Sequence, residues 1–360
     1  MATVLAILLG LALVGAGLWD AFETVVLPRR VSRRVSISGI FYRLTWRPYA
    51  SFASRVRNDT RREDYLSFYG PLSLLVLFQL WAASLIVGFG LLQWGIGSHL
   101  ALEGRAPRFF DDLYMSGTTF VTLGLGDVAP TTGLARVLTV VEAGLGFGFL
   151  AVIVGYLPVL YQAFSRREVS ITLLDARAGS PPSAGELLHR HAGDLDVLGT
   201  LLRDWEHWAA EVLESHLSYP VLSFFRSQHD NQSWLGALTT ILDASALFMT
   251  ALEHGPARQA RLTFAMARHA VVDLAQVLGT PPRAPAPGRL PPGGLTQLAS
   301  ALATEGLALK DDRETERQLA ELRALYEPYV NALALHLAFA LPAWQRTPKR
   351  PDNWRATAWQ

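Results

Sequence analysis

The sequence predicts an all-α membrane protein, and three observations lead to that prediction. Half of the 360 residues are apolar, and the mean hydropathy of +0.22 is high for a soluble protein of this size. Long stretches contain no charged side chain, and the alternation of apolar and polar residues that indicates strands is hardly visible. The formal net charge of +1 argues against a nucleic-acid partner, and the absence of cysteine excludes disulfide scaffolds and thiolate sites.

Three segments are apolar over the roughly 20 residues that a helix needs to cross a bilayer. The first lies in residues 1–27 and has no positive charge before its apolar run, so we expect an uncleaved transmembrane helix rather than a signal peptide. The second covers residues 66–94, inside a stretch without Asp, Glu, Lys or Arg. The third covers residues 138–164, where Glu142 is the single charged residue.

The 28–64 linker between the first two spans is strongly basic, with ten arginines against three acidic residues. The positive-inside rule places it in the cytoplasm, so the N-terminus is expected outside an inner (plasma) cell membrane and residues 166–360 inside. Aromatic residues alternate with the arginines. The linker is therefore interpreted either as an amphipathic helix on anionic lipid, over 29–62, or as a solvated connector. The arginines are Arg29, Arg30, Arg33, Arg34, Arg43, Arg47, Arg55, Arg57, Arg61 and Arg62.

A hairpin between the second and third spans carries the most specific motif, the TLGLGD segment Thr122–Asp127. It resembles the selectivity filter of potassium channels, whose pattern is Thr-Val-Gly-Tyr-Gly-Asp, and the resemblance extends over the flanking spans. Leu123 replaces the valine and Leu125 replaces the tyrosine. The resemblance implies that residues 65–165 form a P-loop cation-channel pore with an outer helix, a pore helix, a filter and an inner helix. The matching residues are Thr122, Gly124, Gly126 and Asp127.

The chemistry of this segment suits a dehydrating cation. Backbone carbonyls can replace the hydration shell if they are aimed at one axis, and glycine tolerates the dihedrals this requires. We expect K⁺ at the carbonyls of residues 122–126, with the Thr122 hydroxyl innermost, the side chains of Leu123 and Leu125 packed behind, and Asp127 concentrating cations at the mouth. No other metal or cofactor is predicted. One chain supplies one such segment, so the partner we expect is the chain itself, as a homotetramer.

A short re-entrant helix is predicted just before the segment, from Phe109 to Val121. Asp111 and Asp112 near its start favour helix initiation. Its carbonyl end would point to the membrane centre and stabilise a cation there. Irregular backbone survives at that depth only when it is buried in protein or faces a water-filled path, which again indicates a pore.

The leucine at position 125 leaves the selectivity open, because it cannot make the hydrogen bond of the family's tyrosine. Passive potassium transport is predicted. The alternatives are a weakly selective cation channel and a non-conducting membrane sensor or scaffold. No nucleophile, metal cluster or cofactor loop indicates an enzyme, and no span carries the regularly spaced arginines of a voltage sensor.

The third span offers candidates for gating and for support of the filter. Gly146 or Gly148 is a candidate hinge and Pro158 a second one, although glycines also permit close packing of helices. Glu142 is interpreted either as a buttress that hydrogen-bonds the pore helix, with protonation one option, or as the ion-pair partner of an arginine, Arg136 or Arg108. At the end of the first span, Asp20 and Glu23 are expected to pair with basic residues.

Residues 166–360 show helical patterning and no span of bilayer length. Ser183 with Glu186 predicts a capped helix whose apolar positions continue to Val212, and further helices are predicted over 233–252, 257–278, 294–309 and 311–341. A proline-rich linker occupies 280–293. We expect a helical cytoplasmic domain that assists assembly or couples a signal to the gate; the regulatory ligand is not indicated.

Overall fold

The computed structural model describes residues 1–27, 36–102, 105–229, 231–253, 255–285, 287–345 and 352–355. Its regular structure is almost wholly helical, which confirms the predicted all-α class. The chain divides into two units: the first comprises residues 1–55 and 68–161, and the second residues 56–67 and 162–360. The predicted boundaries at 64/65 and 165/166 both lie inside long helices.

The described residues of the first unit lie mainly in five helices, two of which extend beyond the unit. They are α1 (Ala2–Ala21, continued by a π-helical turn at Phe22–Val26), α2 (Ile37–Ala53), α3 (Asp59–Gly95), α4 (Phe109–Phe120) and α5 (Gly133–Ala178). Among the described residues, α1 with its π turn, α3 and α5 are long and apolar enough to cross a membrane. These three helices contain the three predicted spans.

Small residues bring α1 and α3 close together. A Cβ added to Gly10 would lie 2.7 Å from the carbonyl oxygen of Gly88, so neither backbone leaves room for a side chain at this crossing. Ser84 on α3 reinforces the contact by donating a hydrogen bond of 3.0 Å to the carbonyl of Leu13. Close packing of this kind is a typical way for helices to associate in lipid, where apolar burial gives little driving force.

Asp20 joins three helices at the far end of α1. Its carboxylate is 3% exposed and accepts hydrogen bonds from the Trp81 indole (2.8 Å), the Ser38 backbone N–H (3.0 Å) and the Ser38 hydroxyl (3.2 Å). The described partners of Asp20 are therefore neutral donors on α2 and α3, not the basic side chains that the sequence led us to expect. Arg29 and Arg30 lie outside the described residues.

We expect an Asp20→Ala variant to loosen α2, because it leaves the Trp81 and Ser38 N–H groups without an acceptor at a cost of about 1–3 kcal/mol. Hydrogen exchange of purified protein should show faster exchange of the first amides of α2. An Asp20→Asn variant keeps one acceptor oxygen and serves as the matched control. Equal protection of α2 in the alanine variant and the wild type would contradict the prediction.

The linker helix α2 follows Ser36, whose hydroxyl caps it by accepting a bond of 3.0 Å from the Gly39 N–H. Its buried Trp46 packs edge-on against Tyr69 of α3, with ring centroids 4.7 Å apart. Residues 37–53 are thus helical, as the amphipathic interpretation of the linker requires. Arg29, Arg30, Arg33 and Arg34 lie outside the described residues, and contact with lipid stays a prediction.

Besides the start of α3 and the end of α5, the second unit contains seven helices among its described residues. They are α6 (Ala184–Arg190), α7 (Asp196–Ser218), α8 (Trp234–Thr250), α9 (Ala257–Val277), α10 (Gly294–Ala303), α11 (Arg313–Ala324) and α12 (Glu327–Leu337), with 3-10 turns at Pro220–Phe224 and Asn353–Arg355. Helix α8 is buried over most of its length, and α7 and α9 pack together beside it. Described residues between 280 and 293 form neither helix nor strand.

Two of the predicted helices in this unit are in fact broken. Ser183 caps α6 as predicted, but α6 ends at Arg190 and the chain turns before α7 begins at Asp196. The apolar spacing between residues 187 and 212 is therefore shared by two helices. Likewise the 311–341 pattern divides into α11 and α12, because Pro328 can be accommodated in the first turn of a helix but not in its interior.

Helix α5 contributes to both units, and its last part is firmly held in the second one. Arg167 is 3% exposed and donates hydrogen bonds to the carbonyls of Leu222 (2.9 Å) and Phe225 (3.0 Å). His216 lies 3.2 Å from the same guanidinium, and burial lowers the pKa of its imidazole well below the usual value. The imidazole therefore stays neutral at pH 7, and α5 is fixed to this unit by hydrogen bonds.

Candidate functional site

Helix α4 is anchored at its N-terminal end by two aspartates. Asp111 accepts hydrogen bonds from the Arg105 guanidinium (2.6 Å) and the Arg108 backbone N–H (2.8 Å). The Arg105 hydrogen bond, followed by that of Arg108, lowers the pKa of Asp111 to about 2. Asp112 is buried and accepts a bond of 2.6 Å from the Ser98 hydroxyl. Both residues thus lie in the first turn of the helix, where a negative charge interacts favourably with the helix dipole.

The TLGLGD segment follows α4 with an alternating backbone. Thr122, Gly124 and Gly126 have φ values of +58°, +52° and +79°, whereas Leu123 and Leu125 between them do not have positive φ. Alternation between left-handed and ordinary dihedrals turns successive peptide groups in a regular way, which suits a row of carbonyl ligands. The glycines were predicted to need such dihedrals. A β-branched residue with positive φ is unusual, and the conformation of Thr122 could not be predicted.

Amide groups at the start of the segment are directed back to α4. The N–H groups of Leu123 and Gly124 both donate to the carbonyl of Thr118, at 2.8 and 3.2 Å. Leu123 and Leu125 carry side chains that are 57% and 61% exposed, so they do not pack behind the segment within one chain. Their predicted packing would therefore need a second copy of the chain.

Asp127 ends the segment and is tied back to α4. The Tyr114 hydroxyl donates a hydrogen bond of 2.9 Å to its carboxylate. Tyr114 was not predicted as a site residue from the sequence. A tyrosine hydroxyl on the predicted re-entrant helix could have indicated such a role. After the segment, Ala129–Pro130 pairs antiparallel with Leu100–Ala101, which fixes the path of the chain into α5.

Gly146 of α5 is the place where the end of α4 meets this long helix. A Cβ added to Gly146 would lie 2.0 Å from the carbonyl oxygen of Phe120, far inside van der Waals contact. The same construction at Gly148 meets nothing within 4 Å. Gly146 therefore serves close packing in this structure. Helix α5 is continuous through Gly146, Gly148 and Pro158, so a hinge at any of them stays a prediction.

Gly148 instead borders an apolar cavity of about 270 Å³ within the first unit. The cavity lies between the end of α1, α3 and α5, and Leu18, Phe78 and Trp81 are among its lining residues. No side chain at position 148 fills this space.

Glu142 of α5 is fully buried and contacts α4, not an arginine. Its Oε1 forms a hydrogen bond with the hydroxyl of Ser116, which also lies 2.7 Å from the carbonyl oxygen of Ile86 on α3. Arg136 donates to the carbonyl of Pro130 at 3.2 Å. Of the two interpretations of Glu142, the hydrogen bond to the re-entrant helix is therefore the one present.

A buried amide on α3 supports α5 nearby. The Gln93 side-chain nitrogen donates to the carbonyl of Ala135 (3.1 Å) and to the Thr139 hydroxyl (3.2 Å). Gln93 and Ser116 were not among the residues predicted from the sequence. A glutamine inside a charge-free span, and a serine four residues after Asp112 on the same helix face, were available signals.

Comparison with known proteins finds an ion-channel family over this part of the chain. The family model described as "Ion channel" matches residues 76–162. The chain is 25% identical over 189 residues to the uncharacterized membrane protein YdjJ of Bacillus subtilis (strain 168), which covers 51% of this chain and 54% of that protein. It is 36% identical over 92 residues to Protein LctB of Geobacillus stearothermophilus, which covers 23% of this chain and 67% of that protein. The chain thus spans about half the length of the first relative. No solved structure matches significantly.

Proposed function

We propose that this chain conducts potassium ions, because it belongs to the family of ion channels with a two-transmembrane, potassium-channel-type pore domain, which its residues 76–162 match. The observation that carries the proposal is the alternation of left-handed residues at Thr122, Gly124 and Gly126, in a loop between two membrane-length helices. Carbonyls of residues 122–126 would take over the hydration shell of K⁺, and Asp127 would attract cations to the mouth.

The conducting form would be a homotetramer. One chain carries one TLGLGD segment, and a carbonyl cage around an axis needs four of them. The side chains of Leu123 and Leu125, largely exposed on one chain, would pack between copies in such an assembly. We place the protein in the inner cell membrane with its N-terminus outside, and its basic 28–64 linker at anionic headgroups on the cytoplasmic side.

The second unit would couple a signal to the pore. Its attachment to residues 162–178 of α5 through Arg167 offers a direct mechanical link to the helix that follows the TLGLGD segment.

Flux measurements with purified protein in proteoliposomes test this function. We expect uptake driven by a K⁺ gradient to be blocked by Ba²⁺ and to exceed uptake driven by an equal Na⁺ gradient. Equal fluxes of both ions would instead indicate a weakly selective cation channel. That alternative is specific to this chain because Leu125 replaces the tyrosine of the potassium-channel pattern. Absence of flux from a folded tetramer, also after substitutions at Pro158, would favour the non-conducting sensor.

A further inference from the structure

The geometry points to a protonated Glu142, whose carboxylic acid donates a hydrogen bond to Ser116 and so completes a chain of hydrogen bonds from α5 through α4 to α3. We assign Glu142 as a positioning residue for the TLGLGD segment. It acts through α4, which ends immediately before that segment.

Counting hydrogens leads to the assignment. The Ser116 Oγ has two oxygen neighbours, the Ile86 carbonyl and the Glu142 carboxyl. A carbonyl oxygen can only accept, and a serine hydroxyl has one hydrogen to donate. If that hydrogen goes to Ile86, the second contact is a hydrogen bond only when Glu142 supplies the other hydrogen. An ionised carboxylate would have to compete with Ile86 for the single serine hydrogen.

Burial favours the same protonation state. Glu142 and Ser116 are both 0% exposed, and Oε2 of Glu142 has no hydrogen-bond partner among the described residues. An ionised carboxylate in such a place would be uncompensated, which is expensive in a low-dielectric environment.

Charged groups on the neighbouring helices are engaged elsewhere. Helix α3 has no Asp, Glu, Lys, Arg or His from residue 66 to its end, and its one ionisable side chain there, Tyr69, pairs with the Thr45 hydroxyl. On α4, Asp111 is paired with Arg105, and Asp112, one turn before Ser116, accepts from the hydroxyl of Ser98. On α5, Arg136 donates to a backbone carbonyl. The two buried acids, Asp112 and Glu142, thus both bond to serine hydroxyls and to no described cation.

The role of the proton rests on the proposed conduction, whereas its presence does not. Ionisation of Glu142 would break one of the two bonds at Ser116, four residues before the end of α4. The carbonyl of Phe120, which sits against Gly146, and the carbonyl of Thr118, which holds Leu123 and Gly124, would then lose their alignment. Alkaline pH should therefore impair conduction.

Infrared spectroscopy of the reconstituted full chain tests the proton directly. We expect at neutral pH a C=O stretching band of a protonated carboxylic acid that is absent from Glu142→Gln and shifts in D₂O. Asp112→Asn distinguishes the contribution of the other buried acid. A wild-type spectrum without a band that Glu142→Gln removes would overturn the assignment, whether or not the protein conducts.

The positioning role is tested by flux against pH. We expect wild-type K⁺ flux to fall as pH rises, and the flux of Glu142→Gln to stay constant, because its amide can donate to Ser116 without titrating. Ser116→Ala, which removes both contacts, should lower flux at neutral pH by about tenfold. Identical pH profiles of the wild type and Glu142→Gln would overturn the role. If no variant conducts, the proposed function fails while the infrared band still decides on the proton.

Discussion

A Gly146→Ala variant is expected to lose most of its ion flux and to unfold at lower temperature than the wild type. The added methyl group would stand 2.0 Å from the Phe120 carbonyl oxygen and 2.9 Å from its carbonyl carbon. Both are backbone atoms, which cannot rotate away as the end of a flexible side chain can. Overpacking of this kind costs about 1–3 kcal/mol, and more where backbone must move.

The consequence for function follows from the position of Phe120. Phe120 is the last residue of α4, and the TLGLGD segment begins two residues after it. Displacement of the Phe120 carbonyl would therefore also displace the start of that segment. The loss of flux should therefore exceed what the loss of stability alone explains. Comparison of flux per folded protein with the thermal midpoint in the same detergent or lipid measures this difference.

Gly144→Ala is the matched control on the same helix. A Cβ there meets nothing within 4 Å, and alanine has the higher helix propensity. This control should retain flux and stability. If both variants behave alike, the contact between α4 and α5 does not determine the conducting geometry. Gly148→Ala tests the predicted hinge. A Cβ at position 148 also meets nothing within 4 Å in one chain, so an effect of this substitution on flux would indicate that α5 bends there.

The membrane part of the fold could be predicted because few structures satisfy its constraints. A run such as residues 66–94, without Asp, Glu, Lys or Arg, is long enough to be a spanning helix, and a loop of unusual backbone between two spans has to be sheltered. The residues at which the helices begin and end could be predicted less well. Helix α3 begins at Asp59 and α5 ends at Ala178, since nothing in the local sequence stops a helix where the apolar stretch ends.

In the second unit, apolar spacing alone did not predict where helices break. The positions from Leu187 to Val212 keep the same period on both sides of the turn at 191–195, so hydrophobic pattern cannot reveal the interruption. Contacts between residues distant in sequence are equally hidden from a local pattern. Arg289 and Asp243, for example, form a buried ion pair between the proline-rich linker and α8.

The residues of the candidate site also divide into those that the local sequence indicates and those whose role depends on a distant partner. Gly124 and Gly126 were predictable because a backbone conformation demands the residue type. Tyr114, Ser116 and Gln93 were missed, because their significance arises from a partner on another helix. Asp20 was noticed for its cost in an apolar span, yet the neutral donors that are its described partners were not indicated. A polar residue in such a span indicates that a partner exists without identifying it.

A Gly124→Ala variant is expected to lose selective K⁺ flux while it remains folded. Gly124 has φ +52°, a conformation that costs an alanine about 1–2 kcal/mol, and a tetramer would incur that cost four times around one axis. Nothing lies within 4 Å of the added Cβ in one chain, so the effect measured is conformational rather than steric. Relief of the strain would turn the peptide groups at this position and remove their carbonyls from the row.

Gly133→Ala provides the control for this substitution. It introduces the same methyl group into equally empty surroundings, at the start of α5, where φ is not positive. We expect Gly133→Ala to keep the K⁺ flux and the K⁺-over-Na⁺ preference of the wild type, and Gly124→Ala to lose both with a thermal midpoint close to that of the control. Retention of selective flux by Gly124→Ala would mean that the left-handed conformation of residue 124 is not required in the conducting state. The alternating backbone of the TLGLGD segment would then no longer support the potassium pathway.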